Sequence, residues 1–334
     1  MPKVSIIVVN YKGKEHILNC LRAIEKQRFK DFEIVIVDNG SSDDSLYEIQ
    51  SFLGESLIAP LVRLIPLAGN SGFAGGNLEG LRYANGEYIA LLNNDTEADV
   101  TWLGELVKAM DHDTYVGICA SKLLFFGADI IDSAGDGFST FLKGFKRGEG
   151  ENASLYDKME HVFGACAGAA LYRKKMLDET GFFDEDFFLV HEDTDLNFRA
   201  QLAGWKAIYV PSAVVYHKVG SSIGHMSDTA VYYTLRNSEF VRIKNVPFWV
   251  FIRFLPEFII VMITEFIYFA IKHRKFRLYF KAKMDALKML PRMLKKRKAI
   301  FKTKRVGSRE LMQIMTPAFE KSFFKNKLRK LLRG

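Results

Sequence analysis

Residues 88–95 restrict the fold of this chain more than any other segment. The first five (Tyr-Ile-Ala-Leu-Leu) are apolar and have the length of a buried strand, and Asn93, Asn94 and Asp95 follow directly. In α/β sheets, ligands bind just beyond the carboxyl ends of strands. A carboxylate there can hold a divalent cation, and the cation can hold a diphosphate. Asp95 is therefore the first candidate ligand-binding residue.

Strand-like and helix-like segments alternate along the first third of the chain, which predicts an α/β fold with a mostly parallel central sheet and helices on both faces. The predicted strands there cover residues 4–9, 32–37, 62–65 and 88–92, and the predicted helices cover 16–26, 45–53, 76–85 and 101–110. Further on, we predict short strands at 117–121, 129–131, 170–172 and 207–210, the last ended by Pro211, and a helix over 193–203.

The balance of basic and acidic residues changes near residue 241. Residues 242–334 contain 25 Lys and Arg against 5 Asp and Glu, whereas residues 1–241 contain 22 against 34. Such a shift marks a boundary. We predict a catalytic domain over 1–241, with a nucleotide-binding half of about 1–97 and an acceptor half of about 98–241, and a basic helical appendage over 242–334. The three separated cysteines fit free thiols in a reducing cytosol.

Residues 248–271 are apolar, but charged residues interrupt them too often for a membrane-spanning helix of about 20 apolar residues. On a helical wheel, Arg253, Glu257, Glu265 and Lys272 fall within about one third of a turn, which predicts an amphipathic helix with a narrow polar stripe. Together with the following basic clusters, this pattern favours a helix lying in the interface of an anionic membrane. Packing on the catalytic domain or on a second subunit, and a true span, remain alternatives.

Other polar motifs follow the predicted strands. Asn10 and Tyr11 end the first strand, and Asp38 begins Asp-Asn-Gly-Ser-Ser after the second. The glycine-rich segment 69–77 could be a plain loop or a phosphate cradle, because glycines let backbone N–H groups approach phosphates closely. Taken alone, Asp-Asn-Gly-Ser-Ser is better explained as a turn and a helix cap, but its place beyond a strand also makes it a candidate to bind a ligand.

Six carboxylates lie between residues 184 and 195 among several phenylalanines. Capping of the predicted helix explains only one of them. A carboxylate beside apolar side chains is desolvated and becomes a better base, and Glu192 and Asp193 are the candidates. His217 follows a later strand-like run; such a histidine is commonly structural, but beside a metal it can be a ligand.

The order of these motifs resembles the family 2 inverting glycosyltransferases with a GT-A fold, and especially their bacterial rhamnosyltransferase-like branch. The resemblance covers about residues 3–225. It implies that Glu192 and Asp193 are catalytic, with Asp193 as the general base, and that Asp95 and His217 bind the metal. The implied nucleotide- and donor-binding residues are Asn10, Tyr11, Asp38, Asn70, Gly72, Phe73, Asn77, Asn93 and Asn94. The implied loop between donor sugar and acceptor contains Gly164, Ala165, Gly168 and His191.

The chain departs from the family at one point, because the Asp-x-Asp metal motif reads Asn93-Asn94-Asp95. The resemblance still implies a Mg²⁺ or Mn²⁺ cofactor. It implies transfer from a UDP- or dTDP-sugar, dTDP-rhamnose among them, to a glycan or lipid-linked acceptor in cell-surface polysaccharide synthesis, at the cytoplasmic face of the membrane. The sequence leaves the sugar, the acceptor, the linkage and the oligomeric state open.

Two other classes of protein remain as alternatives. A sugar-phosphate nucleotidyltransferase also uses an α/β sheet, a glycine loop and an Asp-bound metal, but it would want a basic glycine-rich signature after the first strand. A non-catalytic membrane scaffold would not need the complete set of acids. We expect no nucleic-acid partner, because no recognition motif is present and the acidic body would repel phosphate backbones.

Overall fold

The computed structural model describes residues 1–218 and 226–318. Strands and helices alternate along its first half, as predicted. The strands are β1 Val4–Asn10, β2 Phe32–Asp38, β3 Val62–Pro66, β4 Tyr88–Leu92, β5 Thr96–Ala98 and β6 Val116–Phe125. The helices are α1 Lys14–Glu25, α2 Ser45–Glu55, α3 Gly72–Leu81 and α4 Trp102–His112.

The second half begins with short strands and ends in helices. The strands are β7 Ile131–Ala134, β8 Asp136–Ser139, β9 Lys143–Lys146, β10 Glu160–Val162, β11 Ala169–Arg173 and β12 Lys206–His217. The helices are α5 Lys174–Thr180, α6 Glu192–Leu202, α7 Asp228–Asn245, α8 Phe248–Arg253, α9 Leu255–Glu265, α10 Phe276–Lys288, α11 Leu290–Thr303 and α12 Ser308–Ile314. A π-helical segment, Phe266–Lys272, continues α9.

The central sheet has the order β10-β12-β6-β11-β4-β1-β2-β3, with β5 paired to β12 and β7 paired to β6. Strands β4, β1, β2 and β3 are parallel, so β1 and β2 end side by side at Asn10 and Asp38. Strand β11 runs antiparallel to β4 and pairs Ala169 with Leu92, so it begins at the edge where β4 ends. One edge of the sheet therefore gathers the motifs that sequence reasoning selected.

The parallel strands β4, β1 and β2 are buried on both faces, as helices on both sides of a sheet require, whereas β3 lies at the edge of the sheet and is partly exposed. Successive side chains of a strand point to opposite faces. Val4, Ile6 and Val8 of β1 accordingly pack in one core with Ile17 of α1, whereas Ile7 packs in a second core on the other face. Because alternate side chains of each strand pack into different cores, the packing fixes the orientation of the strands and of the residues at their ends.

Several predicted element bounds differ from the structure, and two of the differences have a clear local cause. Helix α3 begins at Gly72 rather than at residue 76, because the glycine-rich segment itself forms its first turn. Strand β12 continues through Pro211 to His217. Its pairing with β6 shifts between Val210 and Val214, so the proline lies in an irregularity where its missing N–H breaks no ladder bond.

The C-terminal helices pack on the catalytic domain through α7. The predicted boundary near residue 241 falls inside this helix. Tyr279 and Ala282 of α10 pack with Leu235 of α7, and Met293 of α11 packs in a core with Phe240. In the described parts of the chain, no helix is long and apolar enough to cross a membrane.

Residues 248–271 form two helices rather than one, since α8 ends at Arg253 and Pro256 lies in the first turn of α9. The predicted polar stripe also differs in direction. Glu265 is only 5% exposed and bonds Lys143 of the catalytic domain at 2.6 Å. Part of the expected polar face therefore points into the protein, and much of the apolar face points outward.

The carboxylates between residues 184 and 195 have two different uses. Asp195 is fully buried and bonds Lys244 of α7, and Asp184 bonds both Lys244 and Lys296 of α11. Asp186 also bonds Lys296. Glu185 bonds Arg292 of α11 at 3.3 Å. Four of the six acids thus attach the basic helices to the catalytic domain, whereas the sequence predicted a separate basic appendage.

Candidate active site

The ends of β1, β2 and β4 are joined by a network of amides and one carboxylate. Asn10 Nδ2 donates to Asp38 Oδ1 and to Ser45 Oγ, both at 2.9 Å, and Asn94 Nδ2 donates to Asn10 Oδ1 at 2.8 Å. A Cβ at Gly13 would lie 2.0 Å from Asn94 Nδ2, so only glycine leaves room for this bond. Asn10, Asp38 and Asn94 are buried, and their bonds hold the strand ends in register.

Tyr11, by contrast, is exposed just beyond β1, and Lys12 lies over its ring at 5.4 Å. An exposed aromatic ring at the carboxyl edge of a sheet can stack on a flat ligand such as a base. Tyr11 is the predicted nucleotide-binding residue with the most freedom to do so.

The glycine-rich segment is organised by Asn39, a residue that sequence reasoning did not select. Its Oδ1 accepts from the Ser71 N–H at 2.9 Å and its Nδ2 donates to the Gly72 carbonyl at 2.9 Å. The Gly72 N–H donates to Asn70 Oδ1, and the Ala74 N–H donates to the Phe188 carbonyl. Two N–H groups of the first turn of α3 are therefore already bonded within the protein, which favours a structural role of this turn over a phosphate cradle.

Gly72, Phe73 and Asn77 mainly pack α3 against its surroundings. Gly72 has φ +77°, and a Cβ there would lie 2.3 Å from the Phe188 carbonyl oxygen. The Phe73 ring lies 6.0 Å from that of Phe183 in the second core, and Asn77 donates to the Phe73 carbonyl. These contacts position the loop, and the donor contact of the three residues stays a prediction.

Asp95 and His217 meet because β5 pairs with the end of β12. The register sets Thr96 opposite His217, and the Lys218 N–H donates to the Asp95 carbonyl. Asp95 Oδ1 lies 3.4 Å from His217 Nε2. The structure therefore brings together two residues that are 122 positions apart and that sequence reasoning assigned to one metal.

A second carboxylate orients the His217 ring. Asp132 Oδ2 lies 2.8 Å from His217 Nδ1, and Lys146 Nζ bonds both oxygens of Asp132, at 2.7 and 2.9 Å. Burial would lower the pKa of His217, but the bonds to Asp132 and Asp95 outweigh it and raise the pKa to about 9. Burial likewise opposes ionisation of Asp132, yet His217 and Lys146 lower its pKa to about 2.

This donor set fits a divalent cation if the ion displaces the Nε2 proton of His217, because a metal binds the neutral imidazole. A carboxylate oxygen and an imidazole nitrogen 3.4 Å apart can both face one ion, and the Asp132–His217 bond is the usual second partner of a metal-binding histidine. No group of three or more His, Cys, Asp or Glu within residues 1–218 and 226–318 is close enough to enclose a metal. The site thus has the few protein ligands that Mg²⁺ and Mn²⁺ accept when substrate phosphate and water complete their coordination.

The loop over residues 164–168 connects the candidate metal ligands to the candidate base. The Asn93 N–H donates to the Gly168 carbonyl at 2.9 Å, and Asn197 of α6 bonds both the N–H and the carbonyl of Ala165. A Cβ at Gly164 would lie 2.0 Å from Asn197, so the close approach of loop and helix requires glycine there. The loop is fixed at both ends.

Asp193, in the first turn of α6, faces this loop. Its Oδ2 accepts from the Ala167 N–H at 3.3 Å, and its Oδ1 accepts from the Thr194 N–H at 2.6 Å. Burial raises the pKa of Asp193, although both N–H groups favour its charged form. Asp136 of β8 is near enough that burial and the charge of Asp193 raise its own pKa well above the usual range.

Glu192 is a weaker candidate for the base than Asp193. It is only 5% exposed, and burial followed by the charge of Asp193 raises its pKa well above the usual range. A general base must lie within hydrogen-bond reach of the proton that it removes, and an entering hydroxyl cannot readily reach an enclosed carboxyl. Of the two predicted catalytic residues, the geometry therefore favours Asp193.

The turn before α6 is held in a strained conformation. Phe188, Val190 and His191 have φ values of 64°, 67° and 72°, which non-glycine residues rarely adopt. Asn237 of α7 donates to the carbonyls of Leu189 and Val190, both at 2.8 Å, and so holds this turn. Strain of this kind persists where surrounding structure enforces it, and it is typical of active sites.

His191 itself lies beside Thr194, with its Nδ1 3.4 Å from Thr194 Oγ1. Burial and the nearby charges of Lys143 and Arg242 lower its pKa to about 3. His191 is therefore neutral at physiological pH and can offer a hydrogen bond without a charge.

Sequence reasoning missed five residues of this site: Asn39, Asp132, Asp136, Lys146 and Asn197. Asp132 and Asp136 lie in a segment rich in Gly and Asp whose strands are only four residues long. The short motif Asp-Ser-Ala-Gly-Asp-Gly contains both acids and was the available signal.

A groove of about 1040 Å³ on the described surface lies away from these residues. Leu78, Arg82, Leu177 and Lys296 are among the side chains that line it, and no predicted site residue does. We assign the active site from the chemistry of the strand edge rather than from cavity size.

The sequence profile of the family described as Glycosyl transferase family 2 matches residues 5–181, more than half of the chain. The chain belongs to glycosyl transferase family 2. The predicted family and the predicted GT-A fold are therefore confirmed, and with them the class of the domain, a glycosyltransferase. The family 2 match includes the strand edge with Asp38 and Asp95 but ends before Asp193 and His217.

Similar proteins include a low-salt glycan biosynthesis hexosyltransferase of Haloferax volcanii, 28% identical over 59% of this chain and 61% of the relative. An N-acetylglucosaminyl-diphospho-decaprenol L-rhamnosyltransferase of Mycobacterium tuberculosis is 25% identical over 66% of this chain and 77% of the relative. An uncharacterised protein of Sinorhizobium fredii is 28% identical, but the match spans only a quarter of its length. The chain thus spans less than two thirds of several of its relatives.

Solved structures share the fold at low sequence identity. Residues 1–349 of S. aureus TarS in complex with UDP-GlcNAc match 94% of this chain and 92% of that one, with a TM-score of 0.57 and 17% identity. GalNAc-T7 with UDP, GalNAc and Mn²⁺ matches 73% of this chain and 48% of that one, with a TM-score of 0.59 and 17% identity. These matches support the fold of this family 2 protein, including its C-terminal helices in the first case.

Proposed function

We propose that this family 2 protein transfers a sugar, with inversion, from a UDP- or dTDP-linked donor to a hydroxyl of a glycan or lipid-linked acceptor. One observation carries the proposal. Asp193 and the pair Asp95–His217 flank a single loop, which bonds Asp193 through the Ala167 N–H and the end of β4 through the Gly168 carbonyl. A base and a metal site on either side of one loop fit a displacement in which the acceptor oxygen replaces the diphosphate oxygen at the anomeric carbon of the donor.

Asp193 is the proposed general base. It takes the proton of the acceptor hydroxyl while that oxygen forms a bond to the anomeric carbon of the donor. The bond from this carbon to the diphosphate breaks on the opposite face, and the nucleoside diphosphate leaves with the electron pair. The raised pKa of Asp193 supports this role, because a base works best when its pKa approaches the working pH.

Asp95 and His217 are the proposed ligands of a divalent cation. When bound, the cation neutralises the negative charge that develops on the leaving diphosphate. Asp132 holds the His217 ring through Nδ1, which leaves Nε2 directed at Asp95. The imidazole ligand favours Mn²⁺ over Mg²⁺, which prefers oxygen ligands.

The donor and acceptor are proposed from the relatives. The mycobacterial relative is named as a rhamnosyltransferase that acts on a decaprenyl diphosphate sugar, and TarS was solved with UDP-GlcNAc. We therefore propose dTDP-rhamnose as the first donor to test, UDP-GlcNAc as the second, and a polyprenyl-linked acceptor. Such an acceptor would place the enzyme in cell-surface polysaccharide synthesis at the cytoplasmic face of the membrane.

A donor screen tests this function. Purified full-length protein is incubated with a panel of UDP- and dTDP-sugars and Mn²⁺, and released nucleotides are separated by chromatography. We expect one donor to yield nucleoside diphosphate, and chelation of the metal to reduce its release. A matched reaction with sugar phosphates and nucleoside triphosphates tests for nucleotidyl transfer. Release of pyrophosphate there, with no nucleoside diphosphate from any sugar donor, would contradict the proposal.

A further inference from the structure

The outer surface of the C-terminal helices is apolar where a water-exposed surface would be polar. Along α9 and the π-helical segment, Ile259, Ile263, Ile267 and Ile271 recur every four residues and are between 49% and 59% exposed. Exposed apolar side chains scattered singly are normal, but a continuous row of this length marks an interaction surface.

A second row lies on α10, beside the first. Phe276, Phe280, Met284 and Leu287 recur at helical spacing and are between 45% and 57% exposed. Phe266 joins the two helices, because its ring lies 6.2 Å from those of both Phe276 and Phe280. The two rows therefore form one surface, which we call the apolar surface: the exposed side chains of Ile259, Ile263, Ile267, Ile271, Phe276, Phe280, Met284 and Leu287.

One group of charged side chains on the same helices points the other way, into the protein. Glu265 is buried and bonds Lys143 at 2.6 Å and Lys283 of α10 at 3.2 Å. Lys283 also bonds Glu239 of α7. The helices thus bury the ion pairs of Glu265 and Lys283 against the catalytic domain and expose their isoleucines. A helix that faces water would show the reverse arrangement.

Exposed cations lie on or next to the helices that carry the apolar surface. Arg253, Arg274, Arg277 and Lys281 are exposed and form no ion pair with any carboxylate of the described residues. Trp249, 72% exposed on α8, adds an aromatic ring of the kind enriched at membrane interfaces. Apolar rows bordered by unpaired cations and an indole match the layers of a bilayer surface, with acyl chains beneath anionic head groups.

We propose that the apolar surface lies in the interface of a membrane that contains anionic lipid. A symmetric contact with a second copy would set the same cations against each other, which disfavours that occupant. An anionic bilayer compensates those charges. The proposal deepens the proposed function, because it would hold the active site beside a lipid-linked acceptor, but membrane binding itself does not depend on catalysis.

Vesicle flotation of full-length protein tests the proposal. The probes are vesicles of phosphatidylcholine with and without phosphatidylglycerol. We expect the double variant Ile263→Ser/Phe280→Ser to bind anionic vesicles at least tenfold more weakly, since each half-exposed apolar side chain contributes to insertion. The control Leu57→Ser/Leu155→Ser removes two apolar side chains of the catalytic domain that are more exposed still, at 88% and 69%, and it should bind as wild type does.

A second pair of variants tests the charges. Arg274→Gln/Arg277→Gln should bind vesicles with phosphatidylglycerol roughly tenfold more weakly, with little change on pure phosphatidylcholine. Circular dichroism and donor turnover in solution should stay unchanged in all variants, because these side chains are exposed. If no donor is turned over but flotation behaves as described, the proposed function fails and the membrane surface stands.

Equal flotation of wild type and Ile263→Ser/Phe280→Ser would overturn the proposal. So would a wild-type dimer in light scattering that this variant dissociates, combined with no vesicle binding, because the apolar surface would then be a subunit interface.

Discussion

Asp195→Asn tests how the base-bearing helix α6 is held. Asp195 is fully buried and accepts from Lys244 Nζ at 2.9 Å, Arg199 Nε at 2.9 Å and Asn245 Nδ2 at 2.8 Å. Removing one partner from a buried ion pair costs about 3–5 kcal/mol. Lys244 keeps a second carboxylate, Asp184, at 2.5 Å, so we expect the lower end, about 3 kcal/mol.

The expected loss converts to a measurable change in melting temperature. Unfolding entropy is about 2.1 cal/mol/K per residue, so for 334 residues a loss of about 3 kcal/mol lowers Tm by about 4 °C if the chain unfolds as one unit. The matched control is Glu87→Gln, which removes a half-exposed carboxylate from Lys3 and likewise leaves that lysine a second partner, Asp111. The control should cost no more than about 1 kcal/mol.

The pH dependence gives a further check. Burial alone would raise the pKa of Asp195, but the charges of Lys244 and Arg199 outweigh it and lower the pKa. A lowered carboxyl pKa contributes stability above the unfolded pKa of about 3.9, and that stability is lost as pH falls below it. The gap in Tm between wild type and Asp195→Asn should therefore narrow in acid. Equal Tm of Asp195→Asn and Glu87→Gln at neutral pH would refute the reasoning.

Three further predictions concern the active site. Asp95→Ala should weaken Mn²⁺ and nucleotide binding together in calorimetry, and unchanged binding would exclude Asp95 as a ligand. Asp132→Asn should raise the Mn²⁺ concentration for half-maximal activity at least about tenfold, with near-normal kcat at saturating Mn²⁺, because Asp132 only positions His217. The control is Asp157→Asn, which changes an exposed carboxylate. Equal Mn²⁺ requirements of the two variants would count against this role of Asp132. At saturating Mn²⁺, kcat/KM should fall in acid with a midpoint above the usual aspartate pKa of about 4, because burial raises the pKa of Asp193 and the base must be ionised. The same fall of kcat/KM in Glu192→Gln would support Asp193 as the base. A midpoint near pH 4 would contradict the assignment.

Most strands and helices could be predicted from the sequence where pattern and length agree. Strand β4 has the predicted bounds, and the polar triplet after it correctly marked the edge of the sheet. Pro211 misled the prediction of β12 because a local rule cannot foresee an irregularity in the pairing with β6. Gly72 misled the start of α3 because its positive φ depends on Phe188, which is distant in sequence.

The site could be predicted only where motifs follow strands directly. Asp95 and His217 were assigned together through a family resemblance, and the pairing of β5 with β12 supplies the physical reason. Asp132 and Lys146 join them through short strands that have no strong pattern. Glu265 shows the same limit in the appendage. A helical wheel places Glu265 in the polar stripe but cannot show that it is buried, because its burial depends on Lys143 of the catalytic domain.

The role of Asp193 is tested most directly by Asp193→Asn with the donor found in the screen. Transfer and donor affinity should be measured on the same preparation, with Glu192→Gln as the matched control. We predict that Asp193→Asn lowers the rate of transfer by about 10²- to 10⁴-fold while donor and Mn²⁺ affinities stay as in wild type. A transfer rate within about tenfold of wild type would contradict the assignment of Asp193 as the base.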